Sequence, residues 1–484
     1  MECSYQHKDS FTGIADIYFL SASTLSVELA KIATSFPLDL DTLEREFKGQ
    51  TDEVLPLFIQ DKKVYLVGLG ENPTSLRVLQ VARHFFFKFH QKLNQSLQIC
   101  YLGEQIEALA TGIYLGQYRI GLYKTDTLAA TGFYANPALE FITEKEGDVA
   151  EKQMKRGFET AETQLEMLRL VDAPANHKTP DKLADWALAS AEKYNYKATI
   201  LDAAACETLG LHALLAVGKG SVAHPPLFIV LEYGEKQAEK PTIGLVGKGV
   251  TFDTGGVSLK PGDNMNYMKS DMGGAAAVLG TVELMAKRHV PIHLVAAIPV
   301  TENCIDSLAI KPGDVISSFS GKTIEVINTD AEGRLILADG LTYLNRTFQP
   351  DILIDLATLT GNCIMALGYA AAAMLTSNDE LAASLTEFGT QTGEKVWRLP
   401  LWDEYAPMMD SDVADIKNLS SAPIAGAITA AKFLEVFTEK HPAWVHLDIA
   451  GVAFGDSPYG KMKSATAYGI RLLSAYIENK AGVL

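Results

Sequence analysis

Three short segments of this 484-residue chain gather Asp, Glu, Lys and Gly in patterns that could do chemistry. The first, Gly247-Lys-Gly-Val-Thr-Phe-Asp-Thr-Gly-Gly256, sets Lys248 and Asp253 among glycines that let backbone approach closely, and Lys260 follows it. It is not a phosphate-binding P-loop, which needs Gly where Thr242 stands and Ser or Thr where Gly249 stands. The second, Met268-Lys-Ser-Asp-Met-Gly-Gly274, places Asp271 just before an Ala-rich helical window. A competing reading makes Asp271 only a helix N-cap. The third, Asn328-Thr-Asp-Ala-Glu-Gly-Arg-Leu335, spaces Asp330, Glu332 and Arg334 two apart, so an extended backbone would point all three to one face. Carboxylates on one face repel unless a cation lies between them or one stays protonated. Taken alone, that run reads as a solvated loop with a Glu–Arg pair. Three carboxylate-bearing segments together read as a metal site. Carboxylates with one amine form a hard donor set suited to Mn²⁺, Mg²⁺ or Zn²⁺.

Other chemistries find less support. His441 and His446 belong to no HExxH or HxH pattern and read as packing residues. No GxSxG elbow surrounds any serine, which argues against a serine hydrolase.

Such residues act together only if the fold brings them to one place. In doubly wound sheets ligands bind beyond the carboxyl ends of the strands. Residues 227–231, 243–246, 292–298, 352–356 and 444–449 are near-continuous apolar runs, as expected of strands covered on both faces. Helical windows at 274–288 and 427–437 lie between them, and the first segment directly follows 243–246. Upstream, a strand at 64–70, a helix opened by Pro73 and a strand at 97–102 predict a parallel α/β domain. Gly68 and Gly70 do not complete GxGxxG, so they read as turn residues. Met154, Phe158, Ala161, Leu165 and Leu168 have helical spacing and end before Asp172-Ala-Pro174. The expected division is an N-terminal α/β domain (1–147), a connecting helix (148–171) and a larger α/β catalytic domain (172–484). The latter should hold a mixed, largely parallel sheet covered by helices.

With 48% apolar and 21% charged residues the chain has ordinary globular composition, which excludes disorder and collagen-like repeats. Lys and Arg number 42 against 59 Asp and Glu, a net charge of −17. Nucleic acid is therefore not an expected partner, and residues 1–150 hold no basic stripe. Five scattered cysteines without a CxxC pair signal neither a zinc ribbon nor a disulfide framework. The N-terminus lacks a secretory pattern, and the longest apolar run, near 364–375, is too short for a membrane span and is broken by Gly368. A cytoplasmic location without membrane attachment is expected.

The three segments closely resemble the signatures of the leucyl aminopeptidase family, the cytosolic two-metal aminopeptidases. The resemblance continues through Asp355-Leu-Ala-Thr-Leu-Thr-Gly361, residues 397–405 and His446-Leu-Asp-Ile-Ala-Gly451, and covers about residues 170–484. The first 145 residues match only in α/β character. The resemblance implies release of N-terminal amino acids, leucine and other apolar residues preferred, from peptides by attack of a metal-bridging water. It implies two divalent ions per subunit, Mn²⁺ or Zn²⁺ and alternatively Mg²⁺, on Lys248, Asp253, Asp271, Asp330 and Glu332, with Asp253 and Glu332 bridging. Lys260 falls on the lysine that polarises the scissile carbonyl, and Arg334 on the arginine that holds a bicarbonate general base. Met268, Asn328, Thr358, Leu359 and Ala450 fall on the substrate pocket, and the assembly implied is a homohexamer. Thr254, Asp172 and Ala467 depart from the commoner Ser, Asn and Gly. The alternatives to this reading are an added DNA-binding regulatory role and a dinuclear phosphoesterase.

Overall fold

The computed structural model describes residues 4–8, 14–35, 38–59, 62–120, 123–125 and 132–483. The chain divides into two compact units: Met1–Leu165 with Pro458–Lys461, and Glu166–Ser457 with Met462–Leu484. The helix Gly147–Asp172 runs through this boundary in sequence.

In the first unit, six strands order as Ser4–Lys8, Ala138–Ile142, Ser96–Cys100, Ile17–Leu20, Lys62–Gly68 and Val54–Ile59. All pairings are parallel except the last. The helix Ser75–Phe89 starts where the Thr74 side chain accepts from the Arg77 N–H, an N-cap that fills an orphan donor of the first turn. It buries Val78, Leu79, Val81, Ala82, Phe85 and Phe86, the apolar face that helical spacing predicts.

The second unit is built on nine strands. Their order is Val396–Arg398, Ala372–Leu375, Trp444–Asp448, Ile352–Ala357, Thr242–Gly247, His293–Asn303, Leu227–Tyr233 and Lys197–Leu201, with Gly249–Asp253 also beside His293–Asn303. The centre is parallel, while Leu227–Tyr233 runs antiparallel to both neighbours and Ala372–Leu375 to Trp444–Asp448. This is the mixed, largely parallel α/β sheet expected.

Helices cover both faces of that sheet. Val246 and Gly247 are consecutive in a strand and so point to opposite sides. The helix Gly333–Phe348 meets the Val246 side, where a Cβ on Gly340 would lie 2.9 Å from Val246 Cγ1. The helix Gly273–Lys287 meets the other, where a Cβ on Gly247 would lie 2.8 Å from the Gly274 carbonyl. Buried on both faces, the strands can be continuously apolar. The carboxyl ends of Thr242–Gly247, Ile352–Ala357 and Trp444–Asp448 point the same way, and the residues after them are where the charged groups gather.

Candidate metal centre

Each charged side chain of the site has its own backbone support. Lys248 lies between the strands Thr242–Gly247 and Gly249–Asp253, its N–H donating to Leu356 O at 3.0 Å. Asp253 ends the second of these strands, so the first sequence segment is partly strand rather than loop. Gly255 follows with φ +87°, a left-handed conformation, and a Cβ there would sit 2.6 Å from Ser258 O and 2.8 Å from Asp330 Oδ1. Glycine is needed at that turn. Asp271 follows the 3-10 turn Met265–Ser270. It does not cap the next helix, whose N-cap is Met272 with no side-chain bond.

The third segment corrects the extended-backbone expectation. Asp330 lies in a turn and Glu332 is the helical N-cap residue of Gly333–Phe348, with φ −73° and ψ −35°. Asp330 and Glu332 therefore converge through a turn entering a helix, and Arg334 is already in its first turn. Position 333 has to be small for this entry, since a Cβ there would lie 2.5 Å from Lys248 Cε.

The result is a charge cluster. Carboxylate oxygens of Asp253, Asp330 and Glu332 lie within 4.8 Å of one another. Lys248 Nζ is 2.7 Å from Asp271 Oδ2 and 2.9 Å from Glu332 Oε1, which ties the fourth carboxylate to the group. Lys260 Nζ is 2.8 Å from Asp253 Oδ2 and also pairs with Asp330. Burial opposes the charge of both lysines, but the surrounding carboxylates hold both pKa values above the usual lysine value. Burial, reinforced by the neighbouring carboxylates, pushes Glu332, Asp271 and Asp330 above the ordinary carboxylate range.

Two lysines do not balance four carboxylates. Fully ionised, the cluster carries −2, and Glu332 Oε2 is buried without a hydrogen-bond partner. A buried, uncompensated charge of this kind is costly. The oxygen donors, the amine and the unfilled acceptor fit divalent cations, which would take over the balancing role of the lysines.

The remaining predicted residues surround this cluster. Thr358 donates its hydroxyl to Asp271 Oδ1 at 2.6 Å, and its carbonyl accepts from Lys248 Nζ at 3.1 Å. Asn328 Oδ1 accepts from the Asp330 N–H at 2.7 Å. Leu359 and Ala450 donate backbone N–H groups to Asp448 Oδ1 at 3.1 and 3.2 Å. The Met268 carbonyl accepts from the Asp271 N–H at 3.3 Å. Arg334 stands apart from the lysine-linked cluster. Its buried guanidinium donates to Asn418 O at 2.9 Å, while its Nε has no partner. Burial pulls its pKa down to about 10 against the pull of Glu332 and Asp448, which leaves it charged at neutral pH.

Three supporting residues escaped the sequence reading. Asn303 donates to Asp253 Oδ1 at 2.8 Å, Asn418 brackets the third segment from both sides, and Asp448 organises residues 359, 360 and 450. Asn303 and Asp448 end strands, a position that marks them. Asn418 carries no local signal. His446 is a core residue, as expected, with Nδ1 2.6 Å from Asp355 Oδ1.

Residues 167–474 match the model of the cytosol aminopeptidase family, catalytic domain. A probable cytosol aminopeptidase of Chloroherpeton thalassium is 39% identical, over 95% of this chain and 96% of its own length. One of Chlorobaculum tepidum is 39% identical over 98% of both chains. These alignments extend into the N-terminal unit, beyond the region of resemblance in the sequence. Among solved structures, the bottromycin maturation enzyme BotP in complex with Mn is 30% identical with a TM-score of 0.84, covering 97% of this chain and all of its own. The two bacterial relatives are named probable cytosol aminopeptidases, and neither a phosphoesterase nor a DNA-binding reading gains support from these comparisons. Among the described residues no helix is long and apolar enough to cross a membrane. The chain belongs to the cytosol aminopeptidase family and is a metal-dependent aminopeptidase, a hydrolase acting as an exopeptidase.

Proposed function

We propose that Lys248, Asp253, Asp271, Asp330 and Glu332 hold two divalent ions, with Asp253 and Glu332 shared between them. The observation that carries this is the four-carboxylate, two-lysine cluster with Glu332 Oε2 left without a partner. Bound there, such ions would supply Lewis acidity, a water of lowered pKa as nucleophile and an anchor for a free α-amine. Mn²⁺ or Zn²⁺ suits the donors best, with Mg²⁺ as the third candidate, and the Mn of the BotP complex favours the first. The amine of Lys248 must be neutral to donate a lone pair, whereas Lys260 stays charged and stabilises the oxyanion formed from the scissile carbonyl. Arg334 cannot accept a proton. Its unpartnered Nε instead supports the holding of bicarbonate, the anion that the resemblance assigns to this guanidinium. Met268, Asn328, Thr358, Leu359 and Ala450 shape a pocket for apolar N-terminal side chains, leucine above all. We assign the chemistry to residues 172–484, with 1–147 a separate domain and 148–171 the helix between.

A cytoplasmic homohexamer completes the reading. The exposed Met365, Tyr369, Trp397 and Trp402 support a covered interface, and the four cysteines among the described residues, all free, support a reducing compartment.

Chelator dialysis tests the metal assignment. Hydrolysis of a leucyl amide should vanish and return with Mn²⁺ or Zn²⁺, and an N-acetylated leucyl substrate should be cleaved very poorly. Full turnover of metal-stripped protein, or equal rates on free and blocked substrates, would overturn it.

A further inference from the structure

One lysine without a part in this chemistry lies fully buried near the site. Lys178 is 0% exposed, and its Nζ donates to Val171 O at 3.0 Å and to Lys269 O. Burial, with the Lys269 charge adding to it, pushes its pKa down to about 7 against the pull of Asp172 and Asp271. Protonated or neutral, the amine keeps N–H donors for both carbonyls.

Lys269 answers with a second bond. Its Nζ donates to Asp172 O at 2.5 Å. Asp172 is itself fixed, its carboxylate accepting from the Ser464 hydroxyl at 2.6 Å and the Ala465 N–H at 2.9 Å. Ser464–Ala465 pairs with Phe454–Gly455, and the Phe454 ring lies 5.7 Å from that of Tyr267. Tyr267 and Lys269 both belong to the turn Met265–Ser270, so the circuit closes on that one element. The turn has little else at its start: Asn264 makes no side-chain cap bond and residues 261–264 are exposed.

We propose that Lys178 and Lys269 are positioning residues that lock the turn Met265–Ser270 against Val171–Asp172. The lock presents Asp271 to the metal site and Met268 to the substrate pocket in one geometry. It rests on the reading of Asp271 as a ligand given above. Lys248 and Thr358 hold the carboxylate end of Asp271, and the two lysines hold the backbone that carries it. Partners of this outer kind typically contribute 10- to 100-fold to metal affinity, by the ~10–100-fold losses seen when they are replaced.

The test is calorimetric titration of Mn²⁺ into the metal-stripped chain. Lys178→Met keeps the apolar stem without the donors, and Lys269→Met, at a half-buried position, removes the bond to Asp172. Each should weaken one of two Mn²⁺ binding steps by about 10- to 100-fold and leave the other near wild type. Asp172→Asn should bind as wild type does, because its amide still accepts from the Ala465 N–H and can donate to Ser464. Equal weakening of both steps with a matching fall in metal-free melting temperature overturns the lock in favour of a purely structural role. If Lys178→Met does not fold, Lys269→Met decides. Wild type binding no Mn²⁺ overturns the metal reading and the lock with it, whereas two unchanged steps in both variants overturn the lock alone.

Discussion

Two groups of buried carboxylates in the catalytic unit stand in different surroundings, and burial does not tell them apart: Asp355 is 0% exposed and Glu332 1%. Their donors do. Inside the sheet, Asp355 Oδ2 accepts from the Trp444 indole at 2.8 Å and Oδ1 faces His446 Nδ1. Asp339 accepts from the Leu214 and Phe319 N–H groups at 3.0 and 2.7 Å. Each of these oxygens has its own donor. Beyond the strand ends, four carboxylates share two lysines, and one buried oxygen is left over. A carboxylate that is buried and satisfied is architecture, while carboxylates buried, crowded and short of donors mark a cation site.

Exchanging one group from each region should separate them. Glu332→Gln removes a charge the site needs, so the protein should fold, lose metal and lose more than ~100-fold of its leucyl-amide turnover. Metal content and circular dichroism check this, and retained turnover would remove Glu332 from the ligand set. Lys260→Ala should come next, lowering kcat by ~100- to 1000-fold with KM little changed, as for loss of an oxyanion stabiliser. A rise in KM alone would make Lys260 a binding group. Arg334→Ala should lose roughly 100-fold, the low end of the ~100- to 10,000-fold usual for general-base assistance, and should not respond to added bicarbonate. A bicarbonate response equal to that of wild type would break the link between Arg334 and the anion.

The same contrast explains what the sequence could disclose. Lys248, Asp253, Asp271, Asp330 and Glu332 could be picked out as candidates because each lies at or just past an apolar strand or before a helix, where ligands bind in such sheets. The apolar runs identified the central strands for the same reason that hides their direction. A strand buried on both faces reads alike whether parallel or antiparallel, as Leu227–Tyr233 does. The local shape at Asp330 was not legible, because helix entry there depends on Lys248 packing over Gly333, a contact 85 positions away. Asn303, Asn418 and Lys178 were missed for a like reason. Their partners lie 50, 84 and 91 positions away, and no local spacing reports on them. Ala467, where glycine is commoner, does hold a left-handed backbone with φ +55°, so that departure was a backbone signal rather than a chemical one.

A last test comes from pH, and it sharpens the contrast between regions. Burial pushes Asp339 up to about 7, against the backbone N–H bonds that favour its charge, whereas an unfolded aspartate titrates near ~4. With the folded pKa raised, the stability from neutral Asp339 is fully present below about pH 4 and is lost as pH rises through about 7. The loss is on the order of 4 kcal/mol at most. Glu332 and Asp271 are also raised in the metal-free chain, so they add a slope of the same sign. A divalent cation reverses theirs alone: held ionised, these carboxylates add stability at neutral pH that is lost as pH falls. Denaturant melts between pH 4 and 8 should therefore show stability falling with pH in metal-free protein, and less so or in the opposite sense with Mn²⁺. Asp339→Asn should remove its own share in both forms, because that carboxylate lies away from the ions and depends only on its backbone donors. A slope that ignores Mn²⁺ would mean the strand-end carboxylates do not hold it, and one that ignores Asp339→Asn would mean that Asp339 does not titrate in this range.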